Sequence, residues 1–208
     1  MYERLYAHFG PQHWWPADSP FEVIVGAVLT QNTAWANVEK AIAQLRKSGL
    51  LTPEAIQNIP ESELAKKIRP SGFFNLKARR LKNVAAFIFG EYGGSLERMF
   101  SEATPRLREK LLAVKGLGPE TVDSILLYAG EKPVFVVDAY TRRIFFRHRW
   151  IASGADYAAI QALFMTRLPH DAPLFNEYHA LIVKTAKVYC RKTADCAHCP
   201  LRVFPAYL

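Results

Sequence analysis

One carboxylate in the chain stands where a charged side chain could take part in a reaction. Asp138 follows the apolar run Val134–Val137 and precedes the helical pattern AYTRRIFF. An aspartate at the start of a helix is a common structural cap, and this position also keeps a carboxylate ionised beside the positive end of the helix dipole. Held at the edge of an apolar floor, such a charge can stabilise a developing oxocarbenium ion or orient a water molecule.

A glycine-rich turn precedes this carboxylate. Gly116, Leu117, Gly118 and Pro119 stand between two helical patterns. Glycine permits positive φ and close approach of another backbone, and proline suits the first position of a new helix. The free N–H groups at such a helix start favour an anion, for example a phosphate. By itself a Gly-x-Gly turn more often indicates an ordinary turn between helices, and it is the following Asp138 that favours a functional interpretation.

The cysteines form a third candidate site. The sequence contains three, Cys190, Cys196 and Cys199, all close to the C-terminus. An odd, clustered set in a protein without secretory features indicates metal ligation more than disulfide bonds.

Composition limits the partners of these sites. The chain has 208 residues, of which 50% are apolar, enough for one large domain or two small lobes. Its formal charge of +8 suits a polyanionic partner, although many basic proteins are merely soluble. No apolar run reaches the roughly 20 residues that span a bilayer, and the N-terminus lacks the layout of a signal peptide. We expect a cytoplasmic protein without a membrane partner.

The sequence pattern predicts that the elements positioning the candidate sites are all helices. Ser19-Pro20 opens a strongly apolar helix that ends at the polar loop TQNT. Proline or glycine marks most of the other helix boundaries, which predicts an all-α fold of about ten helices. The run Val134–Val137 is the best candidate for a strand, but no partner strand is apparent.

The longest basic helix is expected after the break at Arg69–Gly72. Its predicted apolar stripe includes Leu76, Leu81 and Val84. Its other face carries the cations Lys77, Arg79, Arg80 and Lys82. Contacts to backbone phosphates are an option for Lys77, Arg79 and Arg80 together with Arg69–Gly72, and a solvated helix face fits these cations at least as well.

Together these features resemble a known family. The segment Leu111–Ala129 with Val134–Ile144 resembles the helix-hairpin-helix plus Gly-Pro-Asp superfamily of DNA glycosylases, typified by endonuclease III. The terminal C-x5-C-x2-C-P resembles its iron–sulfur motif, so the resemblance covers nearly the whole chain. It implies a two-lobed all-α fold with a six-helix lobe over 20–131, a second lobe from 1–19 plus 132–208, and a DNA-binding cleft between the lobes.

The resemblance also implies roles for single residues. Asp138 becomes the catalytic aspartate, and Gln31 of TQNT fills the gap left when a base is flipped out of the duplex. The phosphate-binding hairpin, in some members with a monovalent cation on its carbonyls, comprises Lys115, Gly116, Leu117, Gly118 and Thr121. The expected partner is double-stranded DNA with a damaged base, bound by a monomer in the bacterial nucleoid.

Two departures from the family pattern matter. Members that also cleave the strand carry a lysine at the position of Glu120, and a carboxylate cannot form the required imine; Lys115 lies on the wrong side of the turn. We therefore expect a monofunctional glycosylase.

The second departure concerns the cysteines, because the fourth cysteine of the motif is replaced by Pro205. A [4Fe–4S] cluster would then be bound by three thiolates and by a different or exchangeable fourth ligand, or the cluster would be lost. A zinc site with His198 is a further alternative.

The base that is removed depends on another segment. HWWPADSPFEVIVGAVLTQNT resembles the 3-methyladenine glycosylase branch first described in Helicobacter, which makes Trp14, Trp15 and Pro16 the wall of the base pocket. Their other interpretation is ordinary core packing. Stacking on a cationic alkylated purine gains from cation–π attraction.

Two alternative functions remain. One is a glycosylase and lyase for oxidised pyrimidines or mismatches, and the other is a non-catalytic protein that binds DNA structure.

Overall fold

The computed structural model describes residues 1–207 and confirms the all-α expectation. Within these residues there are twelve α-helices, one 3₁₀ turn and one π-helical turn, and no β-strand. The helices are α1 (Tyr2–Phe9), α2 (Pro20–Leu29), α3 (Trp35–Lys47), α4 (Pro53–Asn58), α5 (Glu61–Lys67), α6 (Phe74–Tyr92), α7 (Leu96–Ser101), α8 (Thr104–Ala113), α9 (Pro119–Ser124), α10 (Ala139–Arg147), α11 (Tyr157–Met165) and α12 (Ala172–Val188), with the 3₁₀ turn at Arg69–Ser71 and the π turn at Ile125–Ala129.

The chain forms two compact units. The internal unit comprises Ala17–Gly130 and holds α2 to α9 with the 3₁₀ and π turns. The terminal unit comprises Met1–Pro16 and the chain from Glu131 onward, and it holds α1 and α10 to α12.

The internal unit is built around α2. Ser19 Oγ accepts a hydrogen bond from the backbone N of Glu22 at 3.2 Å, and Pro20 occupies the first turn, so the start of the helix is capped as its sequence predicts. Every residue from Phe21 to Leu29 is buried. Because α2 is apolar on all sides, it packs against α3, α6, α9 and the π turn.

One prediction for α6 is wrong. Leu76, expected on the apolar stripe, is 45% exposed, whereas Lys77, expected on the solvated face, is 1% exposed. Lys77 Nζ donates to the carbonyl oxygens of Leu29 at 2.8 Å and Ser71 at 2.6 Å. These carbonyls stand at the ends of α2 and the 3₁₀ turn, where helices leave acceptors without intrahelical partners. Burial, and then the neighbouring charge of Arg80, lowers the pKa of Lys77 to about 8.

Lys82, five residues further along α6, also donates to free carbonyl oxygens at a helix end. Its Nζ donates to the carbonyl oxygens of Ile56, Gln57 and Ile59 at 3.1, 2.6 and 2.8 Å, and so closes the C-terminal end of α4. Of the four predicted surface cations, Arg79 keeps a solvated position, 3.4 Å from a Glu61 carboxylate oxygen.

The apolar run before Asp138 is extended but does not pair with a strand. Its backbone groups instead bond to side chains of α11 that recur every four residues. Val137 N donates to Tyr157 Oη at 3.3 Å, and Phe135 N approaches Met165 Sδ at 3.4 Å. Gln161 Nε2 donates to the Phe135 carbonyl at 2.7 Å. One face of a helix therefore satisfies a buried extended segment whose polar groups would otherwise be unpaired.

The terminal unit is organised on α12. Asp171 caps this helix by accepting from Leu174 N at 2.6 Å, and both α1 and α10 pack against it. Most of its middle is buried, including the polar side chain of His179. Across residues 1–207, no helix combines the length and the apolar composition that a membrane span requires.

Candidate functional site

Asp138 lies at the junction between the buried extended segment and α10. It is the N-cap of α10, and its Oδ1 accepts a hydrogen bond from Thr141 N at 2.7 Å. The preceding residues Val134–Val137 are buried, which leaves the carboxylate at the edge of an apolar floor. The side chain of Asp138 is 11% exposed, so the charged group is largely removed from water.

A buried histidine faces the second oxygen of this carboxylate. His179 Nε2 on α12 lies 3.6 Å from Asp138 Oδ2, an ion-pair distance longer than a direct hydrogen bond. Burial works to raise the pKa of Asp138, but attraction to His179 and hydrogen bonds from Thr141 outweigh it and hold the pKa below its usual value. Asp138 is therefore ionised at neutral pH.

This arrangement suits chemistry in which positive charge develops nearby. A fixed carboxylate in a site of low exposure interacts more strongly with a developing cation than it would in water. The same oxygen atoms can accept a proton from an attacking water molecule when geometry permits.

The hairpin between α8 and α9 requires glycine at one position. Gly116 has φ of 103°, and an added Cβ would lie 2.5 Å from Cγ of Arg80. Gly118, the N-cap of α9, has φ of −102°, and a Cβ there would meet open space. The close approach of the Arg80 side chain therefore explains the first glycine of the motif, while the second is not required by packing within the chain.

The structure brings the predicted plug residue and the hairpin together. Gln31 Nε2 donates to Thr121 Oγ1 at 2.9 Å and to the Gly116 carbonyl at 3.3 Å. Arg80 Nη1 donates to Gln31 Oε1. Both ends of the Gln31 amide are thus engaged by residues of the internal unit.

Hairpin carbonyls that could hold a cation already accept hydrogen bonds from side chains. Asn83 Nδ2 donates to the Lys115 carbonyl at 2.8 Å, and Gln31 takes that of Gly116. Each carbonyl oxygen has a second lone pair, so a monovalent cation bound there would share these oxygens with the two amides. Lys115 and Glu120 themselves are exposed, whereas Leu117 is buried.

The predicted base-pocket residues lie in the terminal unit. Trp14 and Trp15 are half-buried with their rings in edge contact, 5.9 Å between centroids, and Pro16 is exposed. Lys187 Nζ of α12 lies 5.8 Å from the Trp14 ring and 6.0 Å from the ring of Tyr140, two residues after Asp138. The tryptophan pair and the carboxylate therefore both lie along α12, and a cation already faces one of the rings.

The three cysteines line one small cavity. Its volume is about 20 Å³, room for about one water molecule. Arg147 on its wall donates to Cys190 Sγ at 3.2 Å and to the Arg191 carbonyl at 2.7 Å. Burial raises the pKa of the Cys199 thiol.

These residues do not make a complete ligand set for a [4Fe–4S] cluster. Four thiolates are usual, and Pro205 takes the place of the fourth. Among residues 1–207, no group of three or more His, Cys, Asp or Glu side chains is placed to hold a metal ion, and His198, the alternative zinc ligand, hydrogen-bonds to Asp195 at 2.8 Å.

Sequence reasoning did not foresee the contacts or conformation of three residues. His179 is a polar residue within the apolar pattern of α12, which was a usable signal. Arg80 was expected either to contact phosphates or to lie on a solvated face, and its hydrogen bond to Gln31 was not foreseen. Phe73, the N-cap of α6, is 68% exposed with φ of 44°, a left-handed conformation that is rare for an aromatic residue. Its signal was an aromatic pair directly after a Pro-Ser-Gly break.

The helices, the glycine hairpin and the capped aspartate define a helix-hairpin-helix DNA repair glycosylase. A sequence model of HhH-GPD superfamily base excision DNA repair proteins matches residues 25–170. The chain belongs to the HhH-GPD superfamily of base excision DNA repair proteins.

Individual relatives agree with this assignment. The chain is 49% identical over 205 residues to a protein of Methanocaldococcus jannaschii named as a DNA repair glycosylase, covering 98% of this chain and 93% of that protein. It is 29% identical to endonuclease III of Sulfolobus acidocaldarius, covering 90% and 82%. The solved 3-methyladenine DNA glycosylase of Helicobacter pylori, bound to 1,N6-ethenoadenine, is 33% identical with a TM-score of 0.75, covering 89% and 96%. The resemblance to the superfamily and to its 3-methyladenine branch is confirmed.

Proposed function

We propose that this protein removes an alkylated purine, such as 3-methyladenine, from double-stranded DNA by hydrolysis of the N-glycosidic bond. The observation that carries the proposal is Asp138, a carboxylate that is 11% exposed and accepts a hydrogen bond from Thr141 N at 2.7 Å. A buried anion of this kind can offset the positive charge that appears on the sugar as the base departs.

In the proposed reaction the bond between C1′ of the sugar and the base nitrogen breaks, and the base leaves with the electron pair. Asp138 stabilises the resulting oxocarbenium ion. A water molecule then adds to C1′ and loses its proton toward the carboxylate. A cationic alkylated purine leaves as a neutral base, so little acid catalysis is needed.

Strand cleavage is not part of the proposed reaction. The position at which lyases of the family carry a lysine is Glu120, whose carboxylate cannot form an imine with the sugar. Water is therefore the nucleophile, and the product is an abasic site in an intact strand.

The choice of base rests on the tryptophan pair and on a relative. Trp14 and Trp15 offer aromatic faces on which a cationic purine gains about 0.5–2 kcal/mol from cation–π attraction. The 3-methyladenine glycosylase that is 33% identical to this chain binds an alkylated adenine derivative.

The test is single-turnover base release from duplexes carrying 3-methyladenine, 1,N6-ethenoadenine, thymine glycol or a mismatched uracil, each with and without alkali. We expect release of the alkylated purines, with strand breaks only after alkali. Asp138→Asn should abolish release, whereas Asp156→Asn, which changes the N-cap of α11, should not. Preference for thymine glycol with breaks before alkali would instead support the glycosylase and lyase alternative, and binding without any release would support a non-catalytic protein.

We further propose that base release needs no iron and that the protein acts as a monomer. The cysteine cavity lacks a fourth thiolate, and the proposed steps use side chains and water. Protein with and without bound iron, quantified by metal analysis, should release base at equal rates. Light scattering should give the mass of one chain without duplex and of one chain plus one duplex with it.

A further inference from the structure

His179 is a buried ionisable group to which the proposed reaction gives no task. It is 5% exposed and lies on α12, forty-one positions after Asp138 in the numbering, yet its Nε2 is 3.6 Å from Oδ2 of that residue. Burying a histidine in an apolar helix face is unfavourable unless its polar atoms interact. The contact between His179 and the Asp138 carboxylate supplies such an interaction.

The two carboxylate oxygens are held from two different helices. Oδ1 accepts from Thr141 N of α10 at 2.7 Å, which is an ordinary helix cap. Oδ2 faces α12 through His179. The helix cap fixes the position of Oδ1 but does not by itself fix the rotation of the carboxylate plane. The contact between Oδ2 and His179 therefore determines which way the carboxylate faces.

Three other charged or titratable side chains on α10 and α11 make hydrogen bonds to groups other than Asp138. On α10, Arg142 donates to the Ala155 carbonyl, and Arg143 Nε donates to the Cys190 carbonyl at 2.7 Å. On α11, Tyr157 Oη accepts from Val137 N. His179 is the ionisable side chain that packs on the carboxylate itself.

We propose that His179 is a positioning residue for Asp138, holding Oδ2 in the orientation in which the carboxylate faces the reacting sugar and offsetting the cost of burying its charge. This proposal rests on the proposed function, because it requires that Asp138 acts in base release. Histidine meets the need because it can carry a positive charge and still fit among apolar residues, here with its ring 6.3 Å from that of Phe135.

The test is the pH dependence of single-turnover base release by the unaltered protein and by His179→Gln. Glutamine keeps a polar group but cannot be cationic. Without the attraction and hydrogen bonding of the His179 ring, burial raises the pKa of Asp138, so the acid limb of the variant should move to higher pH by about one unit or more. On the alkaline plateau, the rate of His179→Gln should be reduced relative to the unaltered protein by a smaller factor than at acidic pH. His170→Gln, which changes an exposed histidine of the same unit, should leave the acid limb in place.

The outcomes separate this inference from the proposed function. If Asp138→Asn releases base at the normal rate, the proposed function fails. If Asp138→Asn is inactive but the acid limbs of His179→Gln and the unaltered protein coincide, the positioning role fails alone. Should His179→Gln not fold, NMR titration of the unaltered protein decides: a chemical-shift change of the His179 ring at the pH at which Asp138 titrates supports the role, and a His179 ring that is insensitive to this titration overturns it.

Discussion

Gln31 Nε2 lies 2.9 Å from Thr121 Oγ1, so the residue that the family resemblance assigns to the gap in the duplex is held by the hairpin itself. Arg80 completes the link by donating to Gln31 Oε1. These contacts fix the amide of Gln31 against the hairpin in the free protein. The same hydrogen bonds must be exchanged if Gln31 enters DNA.

We expect Gln31→Ala to slow base release by about tenfold, because a side chain in the gap offsets part of the few kcal/mol that base flipping costs. The free energy of unfolding should fall by about 1 kcal/mol, since Arg80 loses an acceptor. Single-turnover kinetics and urea unfolding measure the two effects. Gln44→Ala on the exposed face of α3 is the control and should change neither. A full rate for Gln31→Ala would show that this residue does not support flipping.

The two glycines of the hairpin should respond differently to alanine. Gly116→Ala forces a Cβ against Arg80 Cγ at 2.5 Å in a backbone with φ of 103°, and we expect a loss of about 1–3 kcal/mol in unfolding free energy. Gly118→Ala meets open space at a negative φ and should be nearly neutral or slightly stabilising. Urea unfolding of the pair checks this. Equal stabilities would contradict the packing explanation for Gly116.

Phe73 should contribute to DNA binding rather than to folding. It is 68% exposed in a strained backbone conformation, so its ring stabilises little in the free protein. An exposed aromatic ring near basic residues can stack on bases or wedge between them, worth about 1–3 kcal/mol. We expect Phe73→Ala to weaken binding to abasic-site duplex about tenfold or more with an unchanged melting temperature. The matched control is Phe146→Ala, whose ring is 49% exposed in the terminal unit; an equal loss in both variants would argue against a specific role.

Glu120→Lys should restore a lysine at the lyase position. The side chain is exposed, so the substitution should not disturb the fold. We expect borohydride to trap a covalent complex between this variant and abasic-site duplex, and no complex with Glu120→Gln. Trapping of the unaltered protein at a comparable rate would mean that another amine, such as Lys115, performs the lyase step.

The charge of Asp138 should also appear in the pH dependence of stability. Its pKa is lowered in the folded protein, so ionisation contributes stability that is fully present above the pKa of an unfolded aspartate, about 3.9. That contribution is lost as the pH falls through the folded pKa. The advantage of the unaltered protein over Asp138→Asn in urea unfolding should therefore shrink in acid. An advantage that grows in acid would show that burial, not His179, dominates the carboxylate.

Much of the fold followed from local signals. Ser19-Pro20, Pro53, Pro119 and Asp171 stand at helix starts in the structure, because caps and proline act within one turn of chain. The hairpin glycine and the capping role of Asp138 were also visible for this reason. Lys77 was misplaced because periodicity reports which face is apolar and cannot report that two free carbonyls stand opposite a cation.

The sequence by itself therefore determined the helices, the turn and the identity of the carboxylate, together with the absence of a lysine at Glu120. Tertiary structure alone decided which distant groups meet them: His179 at Asp138, and Arg80 and Thr121 at Gln31. Local conformation depends on neighbours along the chain, whereas these contacts depend on how helices pack, and the charge state and direction of Asp138 depend on that packing.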